Sequence, residues 1–283
     1  MPLAAIGTLE FSYADDGPAD GPVVLLLHGF PQDHHSWDAI SAALVEHRFR
    51  TIRPDQRGYS PGARPDGVDA YRLGALTGDA WGLLDHLGVD HAHVIGHDWG
   101  GMVAWAMAAE HPERLRSLTV LSTPHPAAFA DSLRGAQALK SWYMGLIQIP
   151  RVAEAALRPG GRLWAGMMRG LPRESRERYT EAARRPGALS AMLAWYRAMP
   201  RDMTRPSVRW RPIDVRTLYI WGRRDPALGE SAARRTSRYV RGPYAFVILP
   251  NAGHWLPERA ADDVLQVLVP HLTDERDGGP SAS

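Results

Sequence analysis

Three ionisable side chains stand in this chain where their surroundings favour chemistry. The segment VIGHDWGGMVAW sets Asp98 in the pattern Gly96-His97-Asp98-Trp99-Gly100, between an apolar strand-like run and a helix-like one. A strand that turns abruptly into a helix holds the central side chain out on strained backbone, and needs glycines where a side chain would strike the neighbouring strand and helix. A helix N-terminus favours negative charge, so Asp98 is expected to be ionised there. A serine in that place would first have to lose a proton; a carboxylate attacks carbon directly. Asp is also a common N-cap, and Asp98 taken alone fits that role too. His254, in LPNAGHWLPE, follows a strand-like run and comes last of the 12 histidines. It is the candidate base. Asp225, in TLYIWGRRDPAL, lies just past another such run. There it would accept a hydrogen bond from His254 and steady its imidazolium, or simply shape a turn before Pro226. HGFP, residues 28–31, follows VVLLL about 70 residues before Asp98. The backbone N–H groups of Phe30 and Trp99 are the candidate oxyanion donors.

Strands and helices in alternation must position these groups. PVVLLLHG, RTIRPD, AHVIGHD and SLTVLSTP, and later VRTLYIWG and AFVILPNAG, are near-continuous apolar runs of the kind buried on both faces of a parallel sheet. DAYRLGALTGDAWGLLDHLGV and GGMVAWAMAAEHPERL keep apolar residues three and four apart, as helices do. The expected fold is α/β: a mostly parallel sheet flanked by helices, with a helical lid inserted between core strands. Residues 1–125 form the first part of the core, 126–210 the lid, and 211–272 the second part. The Gly/Ser-rich end, 273–283, is expected to be disordered. The lid is rich in Arg, Ala, Trp and Met and has no strand-like run; WAGMMRGL, RESRERYTEAARR and GALSAMLAWYRAM read as helices broken by proline and glycine.

Composition narrows the function further. The net charge of +2 is too small to argue for nucleic acid or an acidic membrane surface. Arginine supplies nearly all of the 33 basic residues, Lys140 being the single lysine. With no cysteine, disulfides, thiolate metal sites and cysteine nucleophiles are excluded. The first residues lack a basic segment followed by a long apolar one, and no run approaches the ~20 apolar residues of a membrane span. A cytoplasmic protein, monomer or homodimer, without metal or cofactor, is expected.

HGFPQDHHSW, PDQRGYSPGARP, GHDWGGMVAW, WGRRDPAL and NAGHWLPE together resemble the epoxide hydrolases of the α/β-hydrolase superfamily, and their neighbours the haloalkane and fluoroacetate dehalogenases. The likeness runs from about residue 5 to 272, and nucleophile, acid and base occur in the order of that superfamily. It implies an alkyl-enzyme ester on Asp98, hydrolysed by water that His254 activates. Two lid tyrosines would donate a proton to the opening epoxide, in positions similar to Tyr143 in SWYMGLIQIP and Tyr196 in LAWYRAMP. Relatives often carry Asn soon after the Arg of WYR, where this chain has Ala198 and Met199. Haloalkane dehalogenases usually carry Asn in place of Phe30, and fluoroacetate dehalogenases Arg in place of Trp99. Dehalogenation on the same nucleophile and a cyclase without net hydrolysis are the alternatives. The aromatic, Met-rich lid (Trp142, Tyr143, Trp164, Met167, Met168, Trp195) suggests a small apolar or aromatic epoxide. His28, Pro31, Trp37, Trp99, Trp142, Trp195 and Trp255 are the candidate substrate contacts.

Overall fold

A computed structural model describes residues 1–132 and 142–274 of the chain. Eight strands form one sheet in the order β1-β2-β4-β3-β5-β6-β7-β8. They are β1 (Leu3–Ile6), β2 (Leu9–Asp16), β3 (Val23–Leu27), β4 (Arg50–Pro54), β5 (Ala92–His97), β6 (Leu115–Leu121), β7 (Thr217–Gly222) and β8 (Tyr244–Leu249). β2 pairs antiparallel with β1 and β4, and every later pairing is parallel. The expected parallel α/β sheet with a helical insertion is therefore what the chain forms. The sequence reading passed over β1 and β2. They are short or acid-ended strands at the sheet edge and lack the apolar continuity of the buried strands.

Successive side chains on a strand point to opposite faces, and VVLLL shows the consequence. Val24 and Leu26 pack on one face with α1 (Asp38–Glu46) and α12 (Ala261–Thr273). Leu25 and Leu27 pack on the other, with α2 (Leu73–His86) and α3 (Trp99–Glu110). Both faces are covered, so the run needs no polar alternation.

Helices fill the insertion between β6 and β7: α4 (Pro126–Ser132), α5 (Trp142–Ile147), α6 (Val152–Ala156), α7 (Arg162–Met167), α8 (Arg173–Arg184) and α9 (Ala188–Thr204). Trp164, Tyr179 and Trp195 are fully buried and join the same apolar cluster as β3, α2 and α3. Expected to break at its proline, the last of these helices instead continues through Pro200 to Thr204. Proline cannot donate to the carbonyl four residues back, which here is that of Tyr196. Gln148 takes the vacancy, its Nε2 donating to the Tyr196 carbonyl at 2.8 Å. After β7 come α10 (Glu230–Arg235) and, beyond β8, α11 (Leu256–Arg259). The tail expected from residue 273 begins later, because α12 includes Thr273; residues 275–283 lie outside those described.

The turn from β5 into α3 decides where the site sits. Asp98 adopts φ 51°, ψ −119°, a sparsely populated conformation for a residue with a side chain. The chain can turn there because glycines remove the obstacles. A Cβ on Gly100 would stand 2.0 Å from the Leu27 carbonyl oxygen, and one on Gly96 2.2 Å from the Gly100 oxygen. Gly100→Ala is expected to lower unfolding free energy by at least about 3 kcal/mol, since backbone rather than a movable side chain blocks the methyl. Gly78→Ala, in an open stretch of α2 with nothing within 4 Å, is the matched control; it should be neutral or stabilising by up to about 1 kcal/mol. Urea titration of the two variants checks both.

Candidate active site

The side chain of Asp98 projects from this turn toward the loop after β3. The Phe30 N–H donates to its Oδ1 at 2.9 Å, and the Trp99 N–H bonds the same carboxylate. Its Oδ2 lies 3.6 Å from His254 Nε2. Burial raises the pKa of Asp98, against the His254 charge and the two N–H donors, which lower it. The helix terminus thus does not act alone, and desolvation is the larger influence. The glycine of HGFP is needed for contact: a Cβ on Gly29 would fall 2.4 Å from Asp98 Cβ.

His254 and Asp225 meet behind that carboxylate. His254 Nδ1 lies 2.8 Å from Asp225 Oδ2. The other Asp225 oxygen accepts the N–H groups of Ala227 and Leu228 at 2.8 and 2.9 Å. The turn role and the acid role expected of Asp225 are therefore filled together, one by each oxygen. Burial works to lower the pKa of His254. The charge and hydrogen bond of Asp225, then the charges of Asp98 and Glu258, overcome it and lift the value to about 9.

Tyr143 and Tyr196 reach the pocket from α5 and α9. Their rings are 6.2 Å apart, edge to face, and both line the space above Asp98 with Met102, Phe129, Met144 and Met199. Tyr196 packs edge-on against Trp99 at 4.9 Å and Phe30 at 5.4 Å, and its hydroxyl bonds the Trp99 side chain. Arg197 braces the same turn of helix, with Nη1 on Glu154 Oε1 at 2.8 Å and Nε on the Ile147 carbonyl at 2.9 Å. Burial, then the charge of Asp98, pushes both phenols well above their ordinary range, so both keep their protons at any ordinary pH. The pocket holds about 60 Å³ and adjoins an apolar chamber of about 530 Å³ that shares Trp99, Met102, Phe129 and Met199.

The remaining expected contacts fall elsewhere. Trp37 is fully buried beside Ile40, Leu44 and Leu256, in the layer that packs under α1 and α12, and so is a core residue. His28 braces its loop: Nδ1 bonds the Gly29 carbonyl at 3.0 Å and Nε2 accepts the Gln56 N–H at 3.1 Å. Burial lowers its pKa to about 4 and keeps it neutral. Pro31 is buried and is not among the described lining residues. Trp195 lines the larger chamber, with its indole N–H on the Arg57 carbonyl at 2.9 Å. Trp255 packs against His254 at 5.0 Å and donates to the Arg169 carbonyl at 3.0 Å, bracing the base against the lid. The side chain of Trp142 lies outside what is described. Among the described residues, no group of His, Asp and Glu has the arrangement of a metal site, and no helix is long and apolar enough to cross a membrane. The reading missed Thr123, whose Oγ1 donates to the Asp98 carbonyl at 2.7 Å, and the thioethers of the pocket. It also missed Gln32 and Glu258, although both stand inside the motifs HGFPQ and HWLPE.

Residues 22–260 match the family model described as alpha/beta hydrolase fold. An AB hydrolase superfamily protein, YfhM, of Bacillus subtilis is 35% identical, covering 92% of this chain and 93% of its own. Epoxide hydrolase A of Mycobacterium tuberculosis is 31% identical over 91% of this chain and 92% of its own. Among solved structures, an epoxide hydrolase from hot-environment metagenomes superposes with a TM-score of 0.86 at 29% identity, covering 96% of this chain and 98% of that one. Epoxide hydrolase A of Mycobacterium thermoresistibile gives 0.81 at 28% identity, with coverage of 96% and 97%. With its turn geometry, its strand order and relatives of this likeness along nearly its whole length, the chain belongs to the α/β-hydrolase superfamily, in the group of the epoxide hydrolases.

Proposed function

We propose that this protein hydrolyses an epoxide bearing an apolar or aromatic substituent to a vicinal diol, through a covalent ester on Asp98. The observation that carries this reading is a buried carboxylate facing two buried phenols across a pocket of about 60 Å³, with an imidazole–carboxylate pair alongside.

The two oxygens of Asp98 have different surroundings and take different roles. Oδ1 is held by the Phe30 N–H. Oδ2 attacks an epoxide carbon, and the C–O bond of the ring breaks. Tyr143 or Tyr196 gives its proton to the leaving alkoxide, which is too basic to depart unaided. In the second step His254 Nε2 takes a proton from water, and hydroxide adds to Cγ of Asp98. The negative charge gathers on Oδ1, where N–H donors already point. Collapse expels the product alkoxide with Oδ2, and His254 protonates it. The carboxylic acid left on Asp98 returns the proton that the phenol lost. Esterification also removes one of the charges that raise the His254 pKa, so the base is released for use by the first step itself. The Trp99 side chain is engaged with the Tyr196 hydroxyl, which favours a phenol-assisted epoxide over a halide held by indole.

His254→Gln, mixed with styrene oxide, should accumulate a covalent adduct on the Asp98 peptide by mass spectrometry and lose about 10²–10⁴-fold in turnover. Asp98→Ala should form neither adduct nor diol, and halide release without diol from the wild type would point to a dehalogenase. Tyr143→Phe with Tyr196→Phe should instead slow formation of the adduct, by about 10²–10⁴-fold in stopped flow, and leave hydrolysis of preformed ester nearly unchanged.

A further inference from the structure

Behind the pocket lies a second buried constellation, used in no step so far. Glu258, at the end of HWLPE, accepts both contacts of the Gln32 amide, Nε2 to Oε1 at 2.9 Å and to Oε2 at 3.0 Å. The phenol of Tyr179, on lid helix α8, donates to the same Oε1 at 3.0 Å. On its other side, Gln32 Oε1 receives the Gly29 N–H at 2.9 Å and touches His97 Nδ1 at 2.9 Å. His97 Nε2 lies 2.8 Å from the backbone carbonyl of His254.

These contacts fix the protons. A backbone N–H only donates, so the amide atom facing Gly29 is oxygen, and flipping Gln32 would also turn its oxygen onto the Glu258 carboxylate. His97 Nδ1 must then carry a proton. Its Nε2 faces another acceptor, the His254 carbonyl, which already takes the Leu256 N–H at 2.8 Å and the Ser122 hydroxyl at 3.0 Å. A neutral imidazole has one N–H and would set a lone pair against one of these oxygens. An imidazolium donates to both.

We propose that Glu258 is a positioning residue for ester hydrolysis: across the Gln32 amide it balances an imidazolium at His97, and this couple anchors the backbone of the base and the oxyanion loop beneath the lid. The proposal rests on the covalent reading above. Burial alone pushes His97 well below its ordinary pKa and Glu258 up to about 7. Taken singly, each would be neutral; opposite charges joined through one amide offset each other's desolvation. The charged groups around His97 point the same way. Asp98, Asp225 and Glu258 are three buried carboxylates, and His254, its ring 5.0 Å away, is one cation. His28, close by, is neutral, and the Trp255 ring at 6.3 Å carries no charge. A second cation at His97 brings the cluster nearer to balance.

Attack by Asp98 needs no base, whereas hydrolysis needs the His254 ring and the Phe30 N–H in register. Glu258→Gln, nearly the same shape, should therefore lower kcat and KM together by about 10-fold, leave kcat/KM for styrene oxide within about 2-fold, and let the Asp98 adduct build up. The ¹⁵N imidazole spectrum near neutral pH should show both His97 nitrogens protonated in the wild type, assigned by their loss in His97→Asn, and one unprotonated in Glu258→Gln. A neutral His97 in the wild-type enzyme overturns the proposal whether or not the variant folds. A fall in kcat/KM with no adduct also overturns it, since that is loss of structure alone. No adduct in either Glu258→Gln or His254→Gln would strike the covalent reading itself, and a wild-type imidazolium would then still support the charge couple.

Discussion

A carboxylate removed from water at the head of α3 is the costly element around which this molecule is built. An isolated buried charge loses several kcal/mol of solvation, and the group tends to take up a proton instead. Asp98 stays useful as a nucleophile because its surroundings answer the charge without covering it. Backbone N–H groups from two loops hold it, one of them 2.9 Å from Oδ1, and an imidazole stands 3.6 Å from Oδ2. The side chain sits there only because the backbone is strained at φ 51° and because glycines let two strands and a helix close around it. The sheet supplies the rigidity. β3, β5, β7 and β8 end at one edge, and the loops that follow them carry Phe30, Asp98, Asp225 and His254.

The lid completes the arrangement from the opposite side. Its phenols are buried and keep their protons, so they are acids and not bases at this site. The lid is also joined to the core by polar ties. Trp195 reaches the Arg57 carbonyl, Tyr179 reaches Glu258, and Trp255 reaches back to the Arg169 carbonyl. Substrate specificity then falls to the Met- and aromatic-lined space shared by the small pocket and the larger chamber, where Met102 and Met199 adapt to an apolar substituent at little cost.

Much of the frame was legible in the sequence because it rests on local signals. Apolar continuity marked the six buried strands, and the glycines around Asp98 marked a turn that only they permit. The edge strands β1 and β2 were not legible, since half-exposed, acid-ended segments resemble loops. Trp37 misled because an aromatic within a motif looks functional, whereas strand and helix phase turn it into the layer beneath α1 and α12. His28 misled similarly: both its ring nitrogens are used by the loop that it stiffens. Gln32, His97 and Glu258 were hidden for a different reason. They come from positions up to 226 residues apart, and their meaning lies in which atoms face each other, a property that no local pattern encodes.

The central claim is that Asp98 becomes an ester and is renewed by water. A single turnover of styrene oxide with excess enzyme in H₂¹⁸O, followed by peptide mass spectrometry, measures it most directly. The mechanism predicts one ¹⁸O in the Asp98 carboxylate and unlabelled diol, because the product leaves with Oδ2. Labelled diol with an unlabelled Asp98 peptide would mean that water attacks the epoxide directly, and would contradict it.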